Sequence, residues 1–193
     1  MEKAFLRQHM LALRRALPPD EAQRRSAAIT KVLLQIPAVQ QAPAILCYVS
    51  SKDNEVDTLS FIRLLLDEQR MVLVPLMQPG NELCWSRLRS LEDLRPARFG
   101  ILEPLPESCT FLDPPRNSVC IVPGIAFSSD GYRIGYGGGC FDRFLSVFNG
   151  IYSIGLSYDV QMNAVWPIDP MDIPVDLVLT ETTIYKQKNN DKR

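Results

Sequence analysis

The sequence predicts a three-layer α/β domain, with helices on both faces of a mostly parallel sheet. Short apolar runs, typical of strands that are covered on both faces, recur along the chain. A helix-like segment separates two of these runs, and such a β-α-β unit implies a parallel strand pair with a right-handed crossover. The 193 residues, 46% hydrophobic and 22% charged, fit one domain with a sizeable core.

Two helices are predicted before the first strand. The first spans residues 2–17, and its apolar residues follow the period of one helix face: Leu6, Met10, Leu13 and Leu17. Pro18-Pro19 ends this helix. Asp20 is the predicted cap of a second helix over residues 20–36, whose buried stripe is Ile29, Leu33 and Ile36.

The strands are predicted from short apolar runs. A polar loop, residues 50–55, follows the first strand, and a helix from Leu59 to about Gln69 leads into the second. Pro79-Gly80-Asn81 indicates a turn before the third. The predicted strands are residues 44–49, 71–75, 83–88, 119–122, 151–156 and 175–180.

Two segments lack a clear period. Residues 92–117 are rich in proline and charge, which predicts a long surface loop that crosses the sheet edge and is either functional or mobile. The polar tail, residues 186–193, is predicted to be disordered. No internal repeat or linker divides residues 1–193, so a single domain is expected.

Composition narrows the class of protein. A net charge of −1 gives no reason to expect nucleic acid as a partner, and no apolar run approaches the roughly 20 residues of a membrane span. Five cysteines without a C-x-x-C pair favour reduced thiols in a cytoplasmic protein. The single histidine, His9, excludes a His-rich metal site and is expected on an exposed helix face. The N-terminus lacks a signal-peptide pattern, and an organellar targeting peptide is the minor alternative.

Glycine is concentrated in one place. Five of the ten glycines lie within residues 131–139, between the apolar run 119–123 and a helix-like segment that begins near residue 140. Glycines let main-chain N–H groups approach an anion closely, and a helix N-terminus adds partial positive charge. The layout therefore predicts a phosphate-binding loop.

This loop matches neither common phosphate signature. Gly139 is followed by Cys140-Phe141, where a Walker A loop requires Lys and Ser or Thr, and Cys140 stands where a dinucleotide fingerprint requires Gly or Ala. On glycine alone, an ordinary turn is an equal alternative. Arg133 and Arg143 flank the run and favour phosphate, because guanidinium groups pair well with phosphate oxygens.

Two aspartates are candidate magnesium ligands. Asp142 stands at the predicted helix start, where capping is the alternative role, and Asp172 lies in a Pro-rich segment, where a turn role is the alternative. Mg²⁺ is typically held by one or two carboxylates together with phosphate oxygens.

Other candidates lie far away in the chain. Lys3 and Arg7 are one helical turn apart and fit a polyphosphate, although a solvated basic face is the alternative. Glu55 follows the first strand, where α/β sheets place ligand-binding groups, although it is also a candidate helix cap. Four aromatic residues are candidates to stack on a flat ring or, alternatively, core residues: Trp85, Trp166, Tyr136 and Phe141.

Together these stretches resemble the 5-formyltetrahydrofolate cyclo-ligase family, also called methenyltetrahydrofolate synthetases. Residues 122–127 and 130–143 resemble the family signature. Further stretches match in order along nearly the whole chain: Lys3-Ala4-Phe5-Leu6-Arg7, Glu55-Val56-Asp57-Thr58, Gly100-Ile101-Leu102-Glu103-Pro104, and Asp172-Ile173-Pro174-Val175-Asp176 with Thr180-Glu181.

The resemblance implies a Rossmann-like fold and a reaction. Such enzymes use ATP and Mg²⁺ to convert 5-formyltetrahydrofolate, with or without a polyglutamate tail, into 5,10-methenyltetrahydrofolate, with release of ADP and phosphate. The formyl oxygen attacks the γ-phosphate, and N10 then closes the ring. Phosphoryl transfer depends on positioning and charge neutralisation, so the scarcity of histidine is no obstacle. A cytoplasmic monomer is expected.

The resemblance also implies roles for individual residues. Arg133 and Tyr136 are implied to be catalytic, and Asp142 and Asp172 to hold Mg²⁺. The folate pocket is implied to involve Glu55, which binds the pterin ring, with Tyr136, Cys140 and Phe141. The implied nucleotide-binding residues are Lys3, Arg7, Arg133, Gly135, Tyr136, Gly137, Gly138 and Gly139.

One departure leaves alternatives open. The family commonly has two aromatic residues before the aspartate, whereas this chain has Cys140-Phe141. Cys140 is expected to be a small packing residue and not a nucleophile. One alternative is an enzyme of related fold that acts on another folate-like or phosphorylated substrate. The other is a non-catalytic folate-binding protein.

Overall fold

The fold is built on a seven-stranded sheet. The computed structural model describes residues 2–97, 100–162 and 164–187. Within these ranges the helices are α1 (Lys3–Arg15), α2 (Pro19–Leu33), α3 (Pro37–Gln41), α4 (Leu59–Asp67) and α5 (Cys140–Val147). The strands are β1 (Ile45–Cys47), β2 (Val72–Gln78), β3 (Glu82–Leu88), β4 (Leu94–Pro96), β5 (Leu102–Pro104), β6 (Val119–Val122), β7 (Ala126–Phe127), β8 (Arg133–Ile134), β9 (Tyr152–Leu156), β10 (Leu177–Leu179) and β11 (Ile184–Lys186).

The strand order determines where a ligand can bind. The order across the sheet is β11-β10-β9-β6-β1-β2-β3, with a parallel centre and antiparallel edge strands β3 and β11. From β1 the chain first builds outward to β2 and β3, and it then continues on the other side with β6. The loops at the carboxyl ends of β1 and β6 therefore diverge and open a crevice between them.

The sheet is covered on both faces, which confirms the predicted three layers. On one face, Ile45 and Ile121 pack in a cluster with Leu33 of α2 and Phe61 of α4. On the other face, the core includes the following residues of β1, β6 and α5: Leu46, Cys120, Phe144 and Leu145. Helix α1 packs separately, against the region of β7 and β8. No helix in the described ranges is long and apolar enough to cross a membrane.

Helix α1 is rotated relative to the prediction. Leu6 and Met10 are buried as expected, but Leu13 is 39% exposed and Arg14 is only 2% exposed. Leu13 and Arg14 are adjacent at the edge of the same stripe. Arg14 takes the inner position because main-chain carbonyls and a phenol satisfy its guanidinium there.

Helix α2 begins and ends earlier than predicted. Pro18 occupies the cap position and Asp20 lies in the first turn without a capping hydrogen bond, so the predicted role of Asp20 is wrong. Proline at the first position needs no cap for its missing N–H group. The helix ends at Leu33, Ile36 is half-buried beyond it, and the short helix α3 follows.

The strand prediction is confirmed for β1, β2, β3, β6, β9 and β10, and no strand end differs from the prediction by more than three residues. The turn at Pro79–Asn81 is also found, with Gly80 at its centre at φ +81°. Outside residues 92–117, the prediction missed three short strands, β7, β8 and β11. A strand of two or three residues is too short to show an alternating pattern.

Residues 92–117 are more ordered than a bare loop. They contain the antiparallel pair β4–β5, and Phe111 then bridges to Ser86 on the edge strand β3. The predicted crossing of the sheet edge is thus confirmed, while the absence of secondary structure is wrong. Residues 98 and 99 lie outside the described ranges.

The predicted disordered tail begins too early in the sequence. Lys186 ends β11 and pairs with Leu177, and the Gln187 N–H donates to the Asp176 carbonyl. The remaining tail, residues 188–193, lies outside the described ranges.

Candidate functional site

A cavity of about 460 Å³ opens in the crevice between the loops that follow β1 and β6. It receives residues from the loop after β1, from β2 and β3, from the β4–β5 pair and from the glycine run. The predicted site residues among its lining are Glu55, Arg133, Gly135, Tyr136, Gly138, Gly139, Cys140, Phe141 and Asp142. The topology therefore brings together predicted site residues that stand between positions 55 and 142 of the sequence.

The glycine run connects β8 to α5 and keeps its main-chain donors free. Gly137 has φ +105° and Gly139 has φ +64°, conformations that glycine adopts without strain. Among the described residues, no hydrogen-bond acceptor faces the N–H groups of residues 136–140. The N-terminus of α5 begins within this stretch and adds partial positive charge. The loop has the geometry of an anion-binding cradle.

Helix α1 brings two cations to this loop. The Arg7 Nε donates to the Gly135 carbonyl at 2.8 Å, and its guanidinium lies beside Gly137. The Lys3 Nζ pairs with the Asp172 Oδ2 at 2.5 Å. The i, i+4 pair thus bridges the glycine run and the segment before β10. This arrangement differs from the alternative of a basic face directed only to solvent.

Arg133 and Asp142 form an ion pair at the cavity wall. The Arg133 Nη2 lies 3.1 Å from the Asp142 Oδ1, and its Nη1 donates to the Ile173 carbonyl at 3.0 Å. Burial lowers the pKa of Arg133, and the Asp142 carboxylate opposes that change. Asp142 also accepts from the Ile173 N–H, whereas Gly139 is the cap of α5, so the capping alternative for Asp142 is wrong.

Asp142 and Asp172 are the carboxylates that could hold a metal ion here. Ile173, which bonds to Asp142, directly follows Asp172, so the two carboxylates belong to one junction. Within the described ranges, no group of three or more His, Cys, Asp or Glu side chains forms a potential metal cluster. Two carboxylates fit Mg²⁺ that takes its other ligands from phosphate and water. Here the cations Arg133 and Lys3 pair with them.

Glu55 and Tyr136 meet on the cavity wall. The Tyr136 hydroxyl donates to the Glu55 Oε1 at 3.2 Å, and the Ser51 N–H donates to the Glu55 Oε2 at 3.3 Å. Burial raises the pKa of Glu55, while the nearby Arg14 charge partly opposes this. Burial also raises the pKa of Tyr136, so the phenol stays protonated at neutral pH. The cavity wall thus presents the carboxylate of Glu55, fixed by two hydrogen bonds, and the phenol of Tyr136.

Apolar groups complete the cavity. Phe141 lines it and meets Trp85 edge-on, with ring centroids 6.4 Å apart. The Cys140 Sγ lies 3.5 Å from the Met77 Sδ, so Cys140 packs against another sulfur at the rim. Further apolar lining comes from Val49, Pro75, Leu83, Ile101 and Leu102. Such walls suit a flat ring system.

Several candidates lie elsewhere. Trp85 and Trp166 are buried core residues, as their alternative role predicted. His9 stacks on Phe5 on an outer face of α1. Arg143 was expected to pair with phosphate, but its Nη2 donates to the carbonyls of Asn81 and Gly138. Its position one turn into α5 lets it brace the loop from outside.

The sequence interpretation missed Arg14, Lys52 and Asp53. Arg14 donates to the Tyr136 hydroxyl, the Lys52 Nζ lies 4.5 Å from the Tyr136 ring centroid, and the Asp53 Oδ2 lies 3.3 Å from the same hydroxyl, as an alternative acceptor to Glu55. One signal was available. Arg14 is seven residues after Arg7 and eleven after Lys3, which places all three on one helix face.

Comparisons with known proteins identify the family of this chain. The sequence model described as the 5-formyltetrahydrofolate cyclo-ligase family matches residues 1–181. The Escherichia coli (strain K12) 5-formyltetrahydrofolate cyclo-ligase is 28% identical over 177 residues, which cover 90% of this chain and 97% of that protein. A probable 5-formyltetrahydrofolate cyclo-ligase of Caenorhabditis elegans is 28% identical over 192 residues, which cover 93% of this chain and 92% of that protein.

Solved structures show the same fold. The NMR structure of Aquifex aeolicus 5,10-methenyltetrahydrofolate synthetase matches with a TM-score of 0.84 and 29% identity, covering 100% of this chain and 96% of that one. A 5,10-methenyltetrahydrofolate synthetase from Mycoplasma pneumoniae matches with a TM-score of 0.74 and 22% identity, over 94% of this chain and 99% of that one, a likeness of fold. With the family match over residues 1–181, these findings confirm the resemblance and the enzyme class, and the chain belongs to the 5-formyltetrahydrofolate cyclo-ligase family.

Proposed function

We propose that this enzyme uses ATP to convert 5-formyltetrahydrofolate into 5,10-methenyltetrahydrofolate, with release of ADP and phosphate. One observation carries the proposal. A single cavity of about 460 Å³ combines apolar walls and the Glu55 carboxylate with the free main-chain donors of the glycine run. A flat folate ring and a phosphate group require these two different environments side by side.

The folate is assigned to the apolar part of the cavity. The pterin ring packs against Phe141 and the neighbouring aliphatic side chains, while Glu55 accepts hydrogen bonds from the N–H groups of the ring. A site built to hydrogen-bond N–H donors discriminates strongly against molecules that lack them. The Tyr136 hydroxyl and the Ser51 N–H support this role, because they hold both Glu55 oxygens.

The triphosphate is assigned to the glycine run. Main-chain N–H groups of residues 136–140 and the start of α5 receive the phosphate oxygens. Arg7 lies against this loop, and Lys3 lies one helical turn before Arg7 on α1. Both cations are therefore close to the proposed phosphate site. Lys3 would exchange its bond to Asp172 for a phosphate oxygen.

The chemistry proceeds in two steps. The formyl oxygen attacks the γ-phosphorus, an O–P bond forms, and the bond to the bridging oxygen breaks so that ADP leaves. N10 then adds to the formyl carbon and loses its proton, and the C–O bond breaks to release phosphate. The positive charges of the site stabilise the transferring phosphoryl group, and no protein nucleophile is needed.

Asp142 and Asp172 are the residues that would hold Mg²⁺. The bound ion supplies neutralising charge beside the phosphate oxygens. The ion pairs of these aspartates with Arg133 and Lys3 orient both carboxylates without it. A cytoplasmic location and a monomeric state stay predictions.

The test is turnover by the purified protein. Mixing it with ATP, Mg²⁺ and 5-formyltetrahydrofolate is expected to produce the near-UV absorbance of the methenyl product, with one ADP for each product molecule. A non-hydrolysable ATP analogue serves as the control and should give no product. Folded protein that yields neither signal would contradict the proposal. Folate binding without ADP release would favour a non-catalytic folate-binding protein. ADP release that occurs only with a different folate or phosphorylated compound would favour an enzyme of related fold with another substrate.

A further inference from the structure

We propose that Arg14 is a positioning residue, whose guanidinium holds the Tyr136 phenol against the Glu55 carboxylate in the folate part of the cavity. This inference rests on the proposed function for the identity of the substrate, a folate. The positioning role of Arg14 is inferred from hydrogen bonds within the chain.

The side chain of Arg14 joins three separate loops. It is 2% exposed, and each of its three nitrogen atoms donates one hydrogen bond. Nε donates to the Asp53 carbonyl at 2.7 Å, Nη1 to the Gly124 carbonyl at 3.1 Å, and Nη2 to the Tyr136 hydroxyl at 2.8 Å. The first two partners follow β1 and β6, the strands between which the strand order reverses, and the third belongs to the glycine run.

The Arg14 contact sets the direction of the phenol hydrogen. Because a guanidinium only donates, the Tyr136 oxygen accepts from Arg14 and its own hydrogen must point elsewhere. The available acceptors are the Glu55 Oε1 at 3.2 Å and the Asp53 Oδ2 at 3.3 Å. Arg15 already binds the other Asp53 oxygen, Oδ1, at 2.7 Å.

The chain Arg14–Tyr136–Glu55 connects a buried cation to the cavity surface. Tyr136 is 44% exposed and lines the cavity, so its position is not fixed by burial alone. The planar fork of arginine donates in several fixed directions, whereas a lysine ammonium is a single point on a flexible stem. We therefore expect loss of the fork to release Tyr136 and Glu55 together, while the phosphate-binding donors stay in place.

The experiment is a double-mutant cycle on folate binding. Arg14→Lys, Tyr136→Phe and the combined variant are compared with the wild type. Titration calorimetry measures the Kd for 5-formyltetrahydrofolate and, separately, for a non-hydrolysable ATP analogue, and steady-state kinetics give KM for each substrate. Arg70→Lys is the matched control. Arg70 also donates to main-chain carbonyls, those of Val39 and Ala42, but neither of these residues lines the cavity, whereas Gly124 and Tyr136 do.

Each single variant is expected to weaken folate binding about tenfold, because about tenfold in affinity corresponds to the loss of one hydrogen bond. Because the two groups act as a unit, the combined variant should also lose about tenfold and not a hundredfold. The Kd for the nucleotide analogue should change by less than about twofold in all three. KM should follow the same division, with the change confined to the folate.

Several outcomes would overturn the inference. Unchanged folate affinity in folded Arg14→Lys would do so, as would multiplicative losses or equal losses for both ligands. A loss of the same size in Arg70→Lys would assign the effect to general destabilisation. If Arg14→Lys does not fold by circular dichroism, Tyr136→Phe decides alone, and unchanged folate affinity there rejects the proposal. A wild type that binds no folate rejects the proposed function instead.

Discussion

Asp142 carries the sharpest prediction at the scale of single residues. Asp142→Asn keeps an oxygen for the Ile173 N–H but leaves the Arg133 charge without its partner. We expect turnover to fall about 100-fold or more, as for loss of other charge-stabilising groups in active sites. The free energy of unfolding should fall by about 1–3 kcal/mol, because a charged group is left unsatisfied.

The measurements for Asp142→Asn are turnover by absorbance and unfolding in urea. Asp130→Asn is the control, since Asp130 is an exposed acidic residue at the start of the same stretch. Turnover of Asp142→Asn within a few-fold of wild type would remove Asp142 from the magnesium and phosphate assignment.

The raised pKa of Glu55 should make the stability of the protein depend on pH. Burial raises its pKa in the folded protein above the ordinary value of 4.5. Its contribution to stability is therefore fully present below about pH 4.5 and is lost as pH rises through the raised pKa. Glu55→Gln removes this titration. The unfolding free energy of the variant relative to wild type should therefore increase with pH across that window and then stay level.

Folate binding should respond to Glu55 in the opposite sense. Protonation removes the charge of the Glu55 carboxylate and turns one of its two acceptor oxygens into a donor, so wild-type affinity should decline as pH falls through the raised pKa. Glu55→Gln should bind folate more weakly at pH 7, by about tenfold. Glu107→Gln, at an exposed position, is the control. Folate affinity that is equal in wild type and Glu55→Gln would exclude Glu55 from the pterin site.

The residues differ in how far the sequence could identify them. Arg133 and Arg143 flank the glycines symmetrically in the sequence, and both were predicted to pair with phosphate. The structure distinguishes them, because Arg133 is buried beside Asp142 and Arg143 braces the outside of the loop. Spacing cannot make this distinction, since it depends on which partners the fold supplies.

At the scale of elements, the glycine run depends on backbone conformation. Gly137 has φ +105°, which an L-residue rarely adopts, whereas Gly135 has no positive φ and open space where a Cβ would stand. Gly137→Ala should therefore displace the free N–H groups and weaken binding of an ATP analogue about tenfold or more. Gly135→Ala should have a clearly smaller effect.

The check for these two glycine variants is the nucleotide Kd, with the folate Kd as internal reference. Equal losses in both variants would show that added bulk, and not the backbone conformation of Gly137, controls binding. Folate affinity that falls in parallel would indicate a general distortion of the cavity.

Elements also differ in how readable they are. The runs that became β1, β2 and β6 are buried on both faces, so continuous apolar sequence identifies them. Most residues of the β4–β5 pair are exposed or half-buried, and the pair lies in a stretch whose apolar residues show no regular period. The pair forms because two short segments hydrogen-bond to each other, and the sequence pattern within either segment does not indicate this pairing.

At the scale of the whole molecule, α1 links the beginning of the chain to the site. Arg7 contacts the glycine run, Lys3 contacts Asp172, and Arg14 contacts Tyr136. Binding of an ATP analogue at 100 times its Kd should stabilise the protein by about 2.7 kcal/mol. Amide hydrogen exchange should slow more in α1 than in α4, because Arg7 of α1 bonds to the cavity-lining Gly135 and Lys3 pairs with Asp172.

Hydrogen exchange followed by mass spectrometry measures this difference. The folate alone serves as the comparison ligand, which should protect the loop after β1 more than the amino-terminal turn of α1. Protection by the ATP analogue in α4 but not in α1 would contradict the assignment of Lys3 and Arg7 to the triphosphate.

The α/β class, the main strands, the glycine run and the family follow from the amino-acid sequence, because apolar period, glycine spacing and ordered motifs can be found along the chain without knowledge of the fold. The pairing of side chains follows from the fold: Arg14 with Tyr136, Arg133 with Asp142, and Lys3 with Asp172. Two of these pairs join α1 to residues more than 100 positions away. Such contacts arise only when the sheet order brings the loops to one crevice, and burial then selects which charges must be paired.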